Sequence, residues 1–394
     1  PGAETANTAI ALHLRVGPEL GHGTSGTVTP LLGAIDGGRY VVKQVAADNA
    51  QQSSTLHHEV RLHRLCSSCS AVVRYAFAYQ DPAGTLFVVM EACDAQLYDA
   101  LTGANAWTRL ARRRGGALGS APTVAERRAW TTSVCEAVRH CHSLRVMHRD
   151  VNPWNVLLKA DVDGCDGAGV LSISARLGDF GLAVQLPEGV NELQGCEFEG
   201  GAALDESALG SLYSAPELGS PNGYDFAADV FSLGATVFAI WAFGKVRDED
   251  ALTDAVEALK TAAVDGAVAR RAGVNDAASA PRDELLAPLL ENADASLRSL
   301  LPRMVAGDPA ARPSADEVLA AICSASAGPN GTRRPPATVV AAAPTPQRGV
   351  VEPASADRIL GEFRKHDHSG AKTVTKELLM GVFRNELLVS DIDL

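Results

Sequence analysis

The apolar positions of this chain change their period after Met90. Before it they fall in short blocks cut by Gly-rich turns: residues 14–16, 27–32, 39–45, then 72–79 and 86–90 around Asp81-Pro82-Ala83-Gly84. Such blocks predict strands, the last two forming a hairpin. One interruption, residues 53–65, spaces Leu56, Val60, Leu62 and Leu65 as a helix does. After Cys93 helical spacing takes over, predicting helices over residues 97–101, 124–144, 227–242, 250–263, 295–304 and 315–324. The order implies an α+β chain: a small strand-rich lobe with one helix, then a larger helical lobe.

Two insertions break the helical part. Residues 102–123 carry the basic run Arg109-Leu-Ala-Arg112-Arg113-Arg114, which reads as a solvated loop or a docking site for an acidic partner. Residues 161–169 read as the tip of an extended hairpin. Residues 328–353 are rich in Ala, Pro, Thr and Gly and read as a linker. Helical character returns from about Ala356, with Ile359, Leu360, Phe363, Leu378, Leu379, Val382, Phe383 and Leu387.

Composition narrows the class. Across 394 residues, 46% hydrophobic and 21% charged content is that of a globular chain. A net charge of −12 argues against nucleic-acid binding, which needs a basic footprint, and suits basic peptides or a plain acidic surface. The eight cysteines lack paired zinc spacing, so free thiols in a reducing compartment, cytoplasm or nucleus, are expected. No secretory signal stands at the N-terminus. The longest uncharged apolar run, residues 230–244, is too short to span a bilayer and predicts a buried helix rather than a membrane partner. The chain begins without Met and ends at Leu394, which fits a fragment or processed product.

The chemistry-bearing residues stand in a fixed order. Leu20-Gly21-His22-Gly23-Thr24-Ser25-Gly26-Thr27-Val28 carries G-x-G-x-x-G-x-V; strand-like residues follow it, which disfavours a dinucleotide fold. Lys43 follows in Val41-Val42-Lys43, and Glu59 lies on the predicted helix. His148-Arg149-Asp150-Val151-Asn152-Pro153-Trp154-Asn155 has the H-R-D-x-x-x-x-N spacing, and Gly178-Asp179-Phe180-Gly181 contains D-F-G. With these motifs the chain resembles the eukaryotic protein kinase family, Ser/Thr type, over roughly residues 14–325.

The resemblance implies a two-lobed kinase fold, with residues 14–92 and 93–325 as its lobes, between a tail at 1–13 and a linker at 326–355. It implies that ATP, with Mg²⁺ as cofactor, donates its γ-phosphate to Ser or Thr of a protein substrate. Asp150 accepts the proton of the attacking hydroxyl, Asn155 and Asp179 hold Mg²⁺, and Lys43, oriented by Glu59, meets the phosphates. Leu20, Gly21, His22, Gly23, Thr24, Ser25, Gly26 and Val28 cover the nucleotide. Val41 roofs the adenine where the family usually has Ala, Met90 matches the gatekeeper, Glu91 and Cys93 the hinge, and Leu157 the pocket floor. Asp229 matches a helix-borne anchor, and Arg312 the arginine that pairs with Glu217.

Three departures stand out. Asn152 occupies the place of a catalytic Lys and brings no charge, so a lysine there is expected to raise turnover. His63 replaces an apolar spine residue, which is expected to loosen its helix. Gly210-Ser211-Leu212-Tyr213-Ser214-Ala215-Pro216-Glu217 is one residue shorter than the family pattern, with Ser211 as the counterpart of its Thr. Together they sustain a rival reading, an ATP-binding pseudokinase or scaffold. The segment between Gly181 and Ala215 is acidic; Glu206 or a phosphorylated Ser207 would fill the pocket of Arg149, or the segment is simply a solvated loop. Residues 356–394 resemble a degenerate EF-hand: in the register of Asp367 and Ser369, Lys372 takes the turn position and Leu378 the twelfth. A helix pair without calcium, serving a regulatory partner, is expected.

Overall fold

A computed structural model of the chain describes residues 15–16, 18–23, 26–32, 39–46, 50–80, 85–103, 110, 122–163, 170–196, 203–204, 209, 211–242, 249–271, 286–287, 291, 293 and 295–326. The terminal tail, the linker, the EF-hand-like segment, Thr24, Ser25, Glu206, Ser207, Gly210 and all but Leu110 of residues 104–121 lie outside them. The described residues fall into two compact units, residues 15–61 with 74–92, and residues 62–73 with 93–326.

The first unit is an antiparallel sheet. Its strands are β1 (Arg15–Val16), β2 (Gly21–Gly23), β3 (Gly26–Leu32), β4 (Tyr40–Ala46), β5 (Tyr75–Gln80) and β6 (Thr85–Glu91), ordered β1-β3-β4-β6-β5 with β2 paired to β3. β5 and β6 form the expected hairpin, with a register shift between Tyr75 and Phe77. Gly26 is required where it stands. Its φ is +114°, and a Cβ there would lie 2.4 Å from the Gln44 carbonyl oxygen. Val60 of helix α1 (Ala50–Cys66) packs with Ala78, Leu86 and Val88, and Leu56, Tyr75 and Met90 border this core.

The second unit is mainly helical. It holds β7 (Ala95–Gln96), α2 (Leu97–Thr102), α3 (Val124–Ser143), β8 (Val146–Met147), β9 (Val156–Asp163), β10 (Val170–Leu177), β11 (Val184–Gln185), α4 (Ala227–Ala242), α5 (Glu249–Arg271), α6 (Ala295–Met304) and α7 (Ala315–Ser326). Strands β9 and β10 pair antiparallel from Val156–Leu177 to Asp163–Val170; residues 164–169 of the expected hairpin tip lie outside the described residues. A capping box fixes the start of α3: Thr123 Oγ1 accepts from the Glu126 amide, and Glu126 Oε2 accepts from the Thr123 amide. Ser314 and Glu317 start α7 the same way. Helix α4 is buried at every residue from Ala228 to Ala242, as its apolar composition beyond Asp229 dictates. Each large side chain it buries contributes roughly 1.5–3 kcal/mol. Trp241 donates from Nε1 to Thr131 Oγ1 at 3.1 Å, and Trp130 donates to the Ile173 carbonyl at 2.8 Å, tying α4 to α3 and α3 to β10. Helix α5 runs on to Arg271, beyond the predicted end at residue 263. Gly266 lowers helix propensity without stopping a segment otherwise rich in Ala and Arg. Among the described residues, no helix is long and apolar enough to cross a membrane.

Candidate active site

In the first unit, strand register gathers the expected nucleotide residues. Val28 opposes Lys43, Lys43 opposes Val88, and Val41 opposes both Pro30 and Met90. Directly opposed residues share a face, and alternation puts Val41 on the face of Lys43. One side of the sheet therefore carries Val28, Val41, Lys43 and Met90. Val41 is buried, Val28 and Met90 are half-buried, and Leu20 is exposed, its amide bonded to the Val28 carbonyl at 2.9 Å. Lys43 Nζ lies 2.6 Å from Glu59 Oε1, with both side chains largely buried. Gly21 and His22 pair with Val28 and Thr27. At the expected hinge, the Glu91 amide donates to the Arg74 carbonyl and its carboxylate accepts from the Arg74 amide at 2.8 Å. These two Glu91 groups shape the chain at the expected hinge.

In the second unit the loop after β8 is built around one carboxylate. Asp229, in the first turn of α4, accepts from the His148 amide (2.8 Å), the Arg149 amide (2.8 Å) and His142 Nε2 (2.9 Å). Burial alone would raise its pKa; the hydrogen bond and charge of His142, the His148 charge and the His148 amide outweigh burial and hold it below the ordinary carboxylate value. This anchor lets Arg149 adopt a φ of +63°. Asp150 then receives Asn152 Nδ2 on Oδ1 at 2.6 Å and Asn155 Nδ2 on Oδ2 at 2.7 Å. Burial raises the Asp150 pKa and the Asp179 charge adds to it; His148 and the two amides oppose without cancelling.

Asn152 is more than an absent lysine. It is buried, and its Oδ1 accepts from the Trp154 and Asn155 amides, both at 3.0 Å. The side chain thus closes the loop that presents Asp150 and Asn155. Lysine has no acceptor and would break both bonds, so the expectation that Lys raises turnover does not fit this geometry. Nothing in the local spacing announced this role.

Asp179 has a φ of +56° and accepts from the Gly181 amide at 3.1 Å. The next residue, Phe180, is buried between two histidines. His63 stacks on it at 5.3 Å, and His148 meets it edge-on at 5.0 Å. His63 Nε2 lies 2.8 Å from the Val73 carbonyl, and His148 Nε2 lies 3.1 Å from the Gly178 carbonyl. The expected loosening at His63 is not what the packing shows, because a flat ring with a satisfied N–H fills the apolar position. Leu157 on β9 and Cys93 are both half-buried, and Leu157 pairs with Gln96.

The segment after Asp179 is pinned from several sides. Arg145 donates to the carbonyls of Leu186, Pro187 and Val190 and to Asn191 Oδ1. Arg149 is 2% exposed and donates to the Leu182 carbonyl (2.6 Å) and the Tyr224 hydroxyl (3.2 Å). Those bonds use its Nε and one terminal nitrogen; Glu206 and Ser207, the expected occupants of its pocket, lie outside the described residues. Lys260 of α5 donates to the Ser211 carbonyl at 2.7 Å. Arg312 grips Glu217 through both terminal nitrogens and lies over the Phe231 ring at 5.0 Å. Sequence reasoning missed Arg145, His142 and Lys260, whose partners are remote in the chain.

Comparison with known proteins agrees with this geometry. Residues 14–322 match the family model described as "Protein kinase domain". The chain is 29% identical over 224 residues to MAP kinase kinase skh1/pek1 of Schizosaccharomyces pombe, covering 56% of this chain and 52% of that protein. It is 26% identical over 306 residues to serine/threonine-protein kinase PEPKR2 of Arabidopsis thaliana, covering 77% of this chain and 51% of that protein. The chain thus spans about half the length of these two relatives.

Proposed function

This chain belongs to the protein kinase family, and from that premise we propose that it transfers the γ-phosphoryl group of ATP to a Ser or Thr hydroxyl of a protein. The observation that carries this reading is Asp150, held by Asn152 and Asn155 and raised in pKa beside Asp179. A carboxylate so placed accepts a hydroxyl proton. Lys43, fixed by Glu59, contacts the phosphates, and the face bearing Val28, Val41 and Met90 holds the adenine together with Leu20, the glycine loop, the hinge and Leu157.

Asn155 and Asp179 suit Mg²⁺. With Asn155 Nδ2 committed to Asp150, its amide oxygen is the end left for a cation, and Asp179 adds a carboxylate. These are the hard oxygen donors the ion prefers. Bound there, Mg²⁺ would neutralise phosphate charge. The test is Asp150→Asn: phosphate transfer falls by a factor of about 10²–10⁴ while nucleotide affinity, read by calorimetry, stays near that of the parent. Unchanged turnover would overturn the assignment.

The rival reading, a nucleotide-binding scaffold, draws on Asn152, whose amide is spent on the loop and brings no cation. Transfer of radiolabelled phosphate to a basic protein separates the two. We place the domain at residues 14–325, with linker and tail beyond. The seven cysteines among the described residues are free thiols, which supports a cytoplasmic or nuclear setting. The tail at 356–394 is read as an EF-hand-like helix pair that docks a regulatory partner without calcium, because Lys372 stands at the turn. Calcium titration of the full chain should leave its heat signal flat; saturable micromolar binding would make it a calcium-regulated kinase.

A further inference from the structure

Among the described residues, three that are not glycine have a positive φ: Arg145 (+59°), Arg149 (+63°) and Asp179 (+56°). Arg149 and Asp179 belong to the motifs of the site. Arg145 belongs to neither; it follows Leu144, which caps α3, and precedes β8, which leads to Asp150. Glycine would occupy such a position without strain. A strained side-chain-bearing residue persists there where surrounding bonds over-determine it.

Those bonds converge on the chain that leaves Asp179. Arg145 Nε donates to the Leu186 carbonyl at 3.2 Å. Its Nη2 donates to the Pro187 carbonyl (3.0 Å), the Val190 carbonyl and Asn191 Oδ1 (3.3 Å). The Arg145 carbonyl accepts from the Leu186 amide at 2.8 Å. Residues 187–190 close a turn, with the Val190 amide bonded to the Pro187 carbonyl at 3.2 Å and Gly189 at a φ of +83°. Three carbonyl oxygens and one amide oxygen are thus aimed at one point. Such dipoles repel one another unless a cation stands between them, and a guanidinium brings only donors. Further on, Leu193 and Tyr224 exchange both backbone bonds, at 2.9 and 2.8 Å. Asp179 is held separately, by the Gly181 amide and by the bond from Arg149 to the Leu182 carbonyl. Its charge acts on Asp150, so the chain that leaves it borders the approach to the base.

We propose that Arg145 is a positioning residue for the transfer reaction: its guanidinium holds residues 186–191 in the shape that admits the protein substrate to Asp150. The strained backbone at Arg145 is what places the guanidinium under the turn. Without the cation the converging carbonyls separate, and the shape that admits the substrate becomes a minor population. Nucleotide binding is spared, because Lys43 and the face bearing Val28, Val41 and Met90 belong to the sheet unit. The role deepens the proposed kinase reading and rests on it.

The experiment uses the full chain, with myelin basic protein as acceptor. Arg145→Gly removes the cation and relieves the strain together, so the unfolding midpoint should stay near that of the parent. KM for the acceptor should rise by about tenfold, with KM for ATP little changed. Hydrogen exchange should quicken at the amides of residues 186–193 and not in α4. Arg145→Lys, which returns the charge, should recover part of the loss. If Arg145→Gly does not fold, Arg145→Asn carries the same test, since Asn also tolerates a positive φ and also lacks the cation. Failure of both to fold would make Arg145 a residue of the global fold and overturn the positioning role. An unchanged KM for the acceptor, or a rise shared equally with ATP, overturns the role and leaves the kinase reading intact. A parent chain that transfers no phosphate overturns the kinase reading and the role with it, so the parent alone tells the two failures apart.

Discussion

The two units hold their functional side chains by different means. In the sheet unit, Val28, Val41, Lys43 and Met90 share a face because strand register puts them there, and one ion pair, Lys43–Glu59, adds direction. In the helical unit, the loop carrying Asp150 is irregular backbone, and side-chain bonds to Asp229 and Asn152 give it its shape. A sheet distributes the work of positioning over many backbone bonds, so its functional side chains are replaceable without loss of shape. A loop held by two side chains is not, because the residues that present the chemistry also make the scaffold.

The largest test of this contrast is Asp229→Ala against Lys43→Met. The first leaves two buried amides and His142 without their acceptor and should cost about 3–5 kcal/mol, on the scale of breaking a buried charged network, read by thermal or urea unfolding. The second removes the largely buried Lys43–Glu59 ion pair and should cost about 1–3 kcal/mol, with nucleotide affinity lost in a protein that remains folded. Equal losses of stability would break the comparison.

A smaller effect sharpens it. Asn152→Lys should lower stability by about 1–3 kcal/mol, since the Trp154 and Asn155 amides lose their acceptor, and phosphate transfer should fall rather than rise. An increase in kcat with unchanged unfolding would show that the cation matters more than the loop.

The smallest effect is in pH dependence, where two carboxylates of the helical unit carry opposite signs. Asp150 has a raised pKa, so more protons are bound in the folded than the unfolded state, and its contribution to stability is lost as pH rises through that value. Because it must be ionised to accept a proton, the acid limb of kcat/KM, which reports the free enzyme, should lie above the ordinary Asp value of about 3.9. Asp229 has a lowered pKa, so its stabilisation is present above the ordinary value and is lost as pH falls through the lowered one. An acid limb at or below the ordinary carboxylate value would remove the raised base.

Much of the fold was legible in the chain because its signals are local. The predicted spans 227–242 and 295–304 coincide with α4 and α6, since an uncharged run and an amphipathic repeat each announce a helix to be buried. The pairing of Lys43 with Glu59 and of Arg312 with Glu217 followed from family motifs and is met in the structure. The roles of Asn152 and His63 were not legible. Each was read from what family members carry at its position, and each is set by partners that the fold brings up: the Trp154 and Asn155 amides, and Phe180 with the Val73 carbonyl.

By itself, then, the sequence determined the elements, their order and the chemical types on offer, because periodicity, turn residues and motif spacing act over a few residues at a time. Only tertiary structure decided which polar groups are satisfied and which side chains are left facing solvent. It buried Asp229 beneath the loop amides, spent the Asn152 amide on backbone, and stacked Tyr98 under Trp154 so that one indole remains exposed beside the candidate base. Those outcomes depend on contacts between residues far apart in the chain, where no local pattern carries the information.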